Sequence, residues 1–459
     1  MPNSTPTDPA RKKTSSVRHT RAIQRDRTKR PATAPPDEQV VARLTEMVHP
    51  ATLGQVAHYY RLGLRERVLT LPIMVAFVLS LIWRQVGSVS ELVRLVASEL
   101  VLWVPPLKIS QQALSERLRT LPAELFLQVL LSVLPGLHAA WKQRQRPLAP
   151  EVAWAQAHYT QVAIVDGSTL DALIRKIGLL RDAAIQPLAG RMTALLDLCS
   201  RLPFQVWYNE DPQAHDQRFW PHILAALQAG ALLIFDLGYT NFTCFAQMTQ
   251  SKVTFITRAK RNLAYRLERP LRRSSAVHDA LVWIGSGDDS QLVRLIEVLY
   301  KGKWYRYLTN ELDLARLPTA YVVALYWQRW RIEDAYAMVK RLLGLAYFYG
   351  SAQNAVELQV WATWLLYAVL VDLTDAVAEA LNKPFAAISM EMVYRSLYYF
   401  TQVHQRGQAT DVVAFLAANA KLYGVVKRPR KRARTNLLLE LSHLTNLCDP
   451  LLVTIGLRR

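Results

Sequence analysis

A phenol, a guanidinium, an indole, a carboxylate and an ammonium group recur at helical spacing in one stretch of this chain. The stretch is Tyr326 to Lys340, YWQRWRIEDAYAMVK, and the groups belong to Tyr326, Arg329, Trp330, Glu333 and Lys340. With no Gly or Pro inside, it reads as a single helix. At about 100° per residue the five side chains share an arc of roughly 100°. Ile332, Tyr336, Val339 and Leu343 form an adjacent apolar stripe that suits a core. Arg329 and Lys340 on such a face could contact phosphate, one through a fork of donors and the other as a point charge. The same spacing also suits a solvated helix surface laced with ion pairs.

The spacing of four of these residues is more specific. Tyr326, two residues, Arg329, three residues, Glu333, six residues and Lys340 reproduce a Tyr-Arg-Glu-Lys pattern. That pattern resembles the YREK signature of the insertion sequence 4 family of DDE transposases. The resemblance implies two aspartates upstream, each at the end of a buried strand. Two positions answer to it. Val162-Ala-Ile-Val165 runs into Asp166, and Ala231-Leu-Leu-Ile-Phe235 runs into Asp236. An ordinary strand-to-turn transition would look the same at either one. Three carboxylates brought together without a counter-charge repel, and their pKa values rise. A pair of Mg²⁺ or Mn²⁺ ions, with their preference for oxygen ligands, resolves this. Two such ions about 4 Å apart activate a water or 3′-hydroxyl and stabilise the leaving oxygen. The resemblance therefore implies Asp166, Asp236 and Glu333 as catalytic and metal-holding residues, with two ions per site. It also implies that Tyr326, Arg329, Trp330, Lys340 and Trp304 meet DNA. In a related enzyme of that family, tryptophans at the places of Trp304 and Trp330 act on a base flipped out beside the cleavage site.

The elements that must position these residues follow from the pattern. Residues 1–38 read as a disordered basic arm, either in contact with phosphates or a solvated tail. Residues 39–150 read as helices throughout and form the candidate end-binding domain. Within it, Ser110 to Arg119 is either a helix-turn-helix recognition segment or a plain packing helix. The prolines Pro147 and Pro150 and the charges from Lys142 to Arg146 mark a boundary. From Gln161 the apolar period changes. Strands are expected over 162–165, 192–199, 204–208, 231–235 and 253–256, with a helix over 217–229. Residues 259–310 read as a β-rich insertion. The fold class expected is α/β. A ribonuclease H-like mixed-sheet core spans 151–381, preceded by an all-helical N-terminal domain. Residues 382–459 are expected to be helical with a basic segment, Lys427 to Arg434.

Composition narrows the partners. The chain has 459 residues, 51% hydrophobic, with a formal net charge of +20. Two or three domains and a polyanionic partner are the expectation. The three cysteines Cys199, Cys244 and Cys448 show no paired spacing, which fits a reducing cytoplasm rather than a disulfide framework or zinc module. The apolar runs 69–83 and 358–371 are shorter than the roughly 20 residues that span a bilayer, so they read as buried helices and no membrane is expected. No phosphate-binding loop, HExxH or GxSxG motif is present. The reading is a transposase that binds terminal inverted repeats and joins them to target DNA. It is expected to act as a homodimer on paired ends, in a bacterial-type cytoplasm at the nucleoid. Two alternatives stay open: a repressor or inhibitor that binds DNA without cutting it, and a nuclease of the same fold that cuts without joining.

Overall fold

Seven helices precede the first strand in the computed structural model, which describes residues 38–65, 67–171, 188–287, 290–345, 348–350, 352–428 and 441. The basic arm lies outside these residues apart from Glu38, and so does the basic segment beyond Arg428. The helices are α1 (Glu38–Gly54), α2 (Val56–Arg61), α3 (Leu71–Trp83), α4 (Val89–Ser98), α5 (Gln111–Thr120), α6 (Glu124–Gln143) and α7 (Pro150–His158). Their starts follow from local chemistry. The Ser88 and Ser110 side chains accept from the amides of Glu91 and Ala113, and Pro150 opens α7, where a missing N–H costs nothing. The candidate recognition segment is α5. Leu114 and Leu118 are buried, and Arg117 is tied to the Leu69 carbonyl at 3.0 Å and the Tyr59 hydroxyl at 2.6 Å. The long connection over residues 99–110 separates it from α4, so no tight turn precedes it.

The sheet is mixed and has nine strands in the order β3-β2-β1-β4-β5-β9-β8-β7-β6. They are β1 (Val162–Asp171), β2 (Leu188–Asp197), β3 (Pro203–Asn209), β4 (Leu232–Ile234), β5 (Thr254–Arg258), β6 (Arg266–Arg273), β7 (Val277–Ile284), β8 (Gln291–Tyr300) and β9 (Lys303–Thr309). β1, β2 and β3 pair antiparallel, whereas β1, β4 and β5 pair parallel. The central parallel strand β4 is short and wholly apolar, as a strand covered on both faces must be. One face carries α8 (Trp220–Ala226) and α9 (Phe242–Gln250), over an aromatic cluster of Trp220, Phe235, Phe245 and Phe255.

The β-rich stretch continues the sheet, because β9 pairs antiparallel with β5 and carries it on through β8, β7 and β6. One expectation changes here: Asp166 does not end its strand. β4 accompanies β1 only over Val162 to Ile164, but β2 pairs with it well past Asp166, at Thr169↔Arg191. Asp166 thus sits where the sheet loses its parallel neighbour and keeps its antiparallel one.

After β9 come α10 (Thr319–Trp327), α11 (Trp330–Ala337), α12 (Gln353–Ala380), α13 (Met390–His404) and α14 (Val412–Ala418). A buried ion pair sets the entry to α10. Arg294 of β8 and Asp279 of β7, both fully buried, meet at 2.7 Å; Arg294 also holds the Leu317 carbonyl, and Asp279 accepts from Thr319. Truncating one partner of such a pair typically costs about 3–5 kcal/mol. α12 is the hub of the helical half. Its Asp372 and Asp375 bind Arg43, Arg144 and Arg146, locking α1 and the segment after α6 onto it. The apolar run 358–371 is therefore the middle of a longer helix. Among the described residues α6 and α12 are long and apolar enough to cross a membrane, and the apolar window of α12 is 94% buried within the protein.

Candidate active site

The helix expected from Tyr326 to Lys340 is broken in two places. Trp327 donates from its ring nitrogen to the Tyr307 hydroxyl of β9 at 3.1 Å. Gln328 reaches the Glu151 carboxylate of α7, and Arg329 reaches Asp166 of β1. Three successive side chains are thus anchored to three different elements. The backbone tightens to accommodate them, with the Gln328 and Arg329 amides donating to Leu325 and Tyr326, each at 3.0 Å. A π-helical turn follows at Met338–Leu342. Tertiary anchoring outweighs propensity here, and such irregular turns concentrate at functional sites.

Four of the five residues still keep together: the Arg329 guanidinium is bonded to Glu333 and lies 6.0 Å from the centre of the Tyr326 ring and 5.8 Å from that of Trp330. Tyr326 is buried with its ring 5.2 Å from that of Tyr307. Trp330 is 61% exposed. The Lys340 ammonium donates to the Thr169 carbonyl near the end of β1. Trp304 of β9 is exposed and stacks on His278 with centroids 4.8 Å apart. The apolar stripe of Ile332, Tyr336, Val339 and Leu343 is buried, as its spacing implies.

Arg329 stands at the centre of the charges. Its guanidinium holds Asp166 at 2.7 Å and Glu333 at 3.0 Å, and it attracts Asp236 at longer range. Burial works against the Arg329 charge, but Asp166, Tyr326, Asp236 and Glu333 outweigh it and its pKa is raised. Asp166 responds the other way. Burial pushes its carboxyl up to about 6, against the pull of Arg329 and with the help of Asp236. Each aspartate also accepts from a glycine amide just after it. The Gly167 amide donates to Asp166 and the Gly238 amide to Asp236, both at 2.8 Å.

Two residues not singled out in the sequence complete the frame. Tyr336 was legible only as part of the apolar stripe. Its hydroxyl donates to the Asp166 carbonyl at 2.6 Å and accepts from the Ala194 amide at 3.0 Å, clamping α11 to β1 and β2. A buried tyrosine needs a partner for its polar tip, which was the available signal. Asp216 opens a 3₁₀ turn and is held by Arg191 of β2 at 2.5 Å. Its carboxylate lies against both glycines: a Cβ on Gly167 would come 2.1 Å from Asp216 Oδ1, and one on Gly238 3.2 Å from Oδ2. The only hint in the sequence was a glycine soon after each candidate aspartate.

The donor set is all carboxylate oxygen, the right chemistry for a hard divalent cation. The spacing is another matter. Among the described residues no three His, Cys, Asp or Glu side chains lie close enough to hold a metal ion. In this arrangement Arg329 supplies the counter-charge to Asp166 and Glu333.

Comparison with known proteins places this site in context. Residues 186–369 match the family model for the transposase DDE domain. The match takes in Asp236 and Glu333 but begins after Asp166. The Sinorhizobium fredii protein y4zB, provisionally named a transposase, is 33% identical over 156 residues, which is 32% of this chain and 43% of that one. A Geobacillus stearothermophilus protein, provisionally named the transposase for insertion sequence element IS5377, is 25% identical over 169 residues, 35% of this chain and 44% of that one. The chain thus spans less than half the length of each of these curated relatives. A cryo-EM structure of a piggyBac transposase synaptic complex with hairpin DNA aligns over 95% of this chain and 90% of that one, at 11% identity and TM-score 0.39. Residues 186–369 are thus similar to a transposase DDE domain.

Proposed function

We propose that this chain is a transposase of the insertion sequence 4 type. It binds the terminal inverted repeats of an element as a homodimer, in the cytoplasm at the nucleoid, and moves the element by metal-dependent cut-and-paste chemistry. The observation that carries this reading is the gathering of Asp166, Asp236 and Glu333 around Arg329, from a strand, a strand end and a helix far apart in sequence. The order of those elements supports the ribonuclease H-like core: an Asp on the first strand, an Asp after the fourth, and a Glu on a helix that follows five further strands.

In this reading Asp166, Asp236 and Glu333 are the residues that would hold the divalent ions, once Arg329 gives up its two carboxylates. The ions, when bound, supply activation of the attacking hydroxyl and charge stabilisation of the leaving oxygen. Arg329, freed from Asp166 and Glu333, becomes a fork of donors for a DNA phosphate. Tyr336 and Lys340 keep α11 and the π turn registered on β1 throughout, through the Asp166 and Thr169 carbonyls. Trp330 and Trp304, both exposed, offer stacking surfaces for an unpaired base, worth roughly 1–3 kcal/mol each. Stacking of that size offsets much of the cost of flipping a base beside the cut, a step that relieves the bend in a DNA hairpin.

A strand-transfer assay with labelled element ends, Mg²⁺ and a supercoiled target tests the proposal. Joined products support it. Binding without cleavage would make the chain a repressor or inhibitor, and cleavage without joining would make it a nuclease.

A further inference from the structure

A cavity of about 210 Å³ lies between α11, the turn after β2 and the start of α13, and neither Arg329 nor Glu333 lines it. Arg201 and Arg331 reach into it from the β2–β3 turn and from α11. The Arg201 guanidinium stacks on the Phe385 ring, 4.5 Å from its centroid, and Arg331 donates to the Leu198 carbonyl at 2.7 Å. Among the described residues neither makes an ion pair with a carboxylate. Arg341 and Lys427 add two more cations to the lining. Of the two carboxylates there, Glu391 is bonded to Arg395 at 2.7 Å, and Asp334 stands exposed.

Elsewhere the Arg294 guanidinium is closed by Asp279 and that of Arg146 by Asp375. Here burial, and then repulsion from Arg201, push Arg331 down to about 9, and burial lowers Arg201 as well. Two guanidinium forks face one small cavity whose lining holds four cations and two carboxylates, which leaves room for an anion with several oxygens.

We propose that this cavity is a phosphate-binding site, in which one phosphate group, free or part of a nucleic-acid backbone, lies between Arg201 and Arg331. The proposal does not depend on the role of the three carboxylates. A dianion offsets the mutual repulsion of the two arginines, which a single carboxylate would only half neutralise.

The test is the unfolding temperature of the full chain as inorganic phosphate replaces chloride at constant ionic strength. The wild type is stabilised. Arg201→Gln needs about tenfold more phosphate for the same shift, having lost one charged fork. Arg119→Gln, an exposed arginine elsewhere, responds as wild type does. Lys427→Gln, at the exposed rim, needs about threefold more and decides the matter should Arg201→Gln fail to fold. Binding of a duplex oligonucleotide then separates the two sources. A backbone phosphate makes the salt slope about one unit shallower in the variant, and inorganic phosphate competes with the duplex. A free phosphate leaves the slope unchanged while the thermal response is lost. No stabilisation of the wild type overturns the proposal, as does a response that all three variants share in full.

Discussion

Tyr336→Phe removes a single oxygen from the joint that registers α11 on the strand carrying Asp166. The ring is buried and stays, so packing is nearly unchanged. What is lost is one bond to the Asp166 carbonyl at 2.6 Å and one from the Ala194 amide at 3.0 Å. Two bonds at about 1 kcal/mol each, plus part of the cost of leaving those buried groups short of a partner, come to about 2–4 kcal/mol. Glu333 lies one helical turn before Tyr336, so loosening the joint also blurs the position of the carboxylate. Each 1.4 kcal/mol lost from the transition state is about tenfold in rate, and a fall in cleavage of about 10–100-fold is expected, with DNA affinity unchanged. Urea unfolding and single-turnover cleavage measure the two effects. Tyr394→Phe is the control, because its hydroxyl binds the Trp83 carbonyl at 2.9 Å, away from the carboxylates. It should lose stability without losing rate. Tyr336→Phe with a stability loss under about 0.5 kcal/mol and wild-type cleavage would refute the clamp.

Gly167→Ala should cut cleavage by more than about tenfold and cost about 1–3 kcal/mol, because its Cβ must displace the Asp216 carboxylate held by Arg191; a wild-type rate would show that Asp216 moves freely. The Asp166 carboxyl, raised to about 6, binds a proton in the folded state that the unfolded state has already lost between about pH 4 and 6. Its contribution to stability therefore falls as pH rises through that window, by at most about 3 kcal/mol, and levels off above it. Metal-free Asp166→Asn should lack that slope in denaturant titrations, and identical slopes would contradict the assignment. Trp304→Ala should slow hairpin formation more than the first nick, so that nicked DNA accumulates on a denaturing gel; equal slowing with a lower unfolding temperature would make its role structural.

Much of the frame was legible because apolar runs and their periods are local. β4 and β5 read directly from Ala231 to Phe235 and Val253 to Ile256, and β8 and β9 from Leu292 to Leu308. What stayed hidden depends on partners far along the chain. Asp166 looked like a strand end because the apolar run stops there, but β2 keeps β1 extended for several more residues. The Tyr326 to Lys340 stretch looked like one helix because nothing in it disfavours a helix. The break at Gln328 comes from bonds to Glu151, Tyr307 and Asp166, none of which a local pattern contains. Arg329 suggested a phosphate contact, and in this arrangement it bridges two carboxylates instead. Asp216 had no motif around it at all. The acids of the site and Arg329 were readable by type, and the bridge that Arg329 makes between Asp166 and Glu333 was readable only from their positions in space.

The central claim is that Asp166, Asp236 and Glu333 act together on DNA. The most direct test replaces each in turn, as Asp166→Asn, Asp236→Asn and Glu333→Gln, and follows a labelled element end in Mg²⁺ alongside its binding by gel shift. The account predicts that every variant binds the end within about threefold of wild type and that none cleaves it detectably. Cleavage by any one of them at close to the wild-type rate would remove that residue from the site and contradict the account.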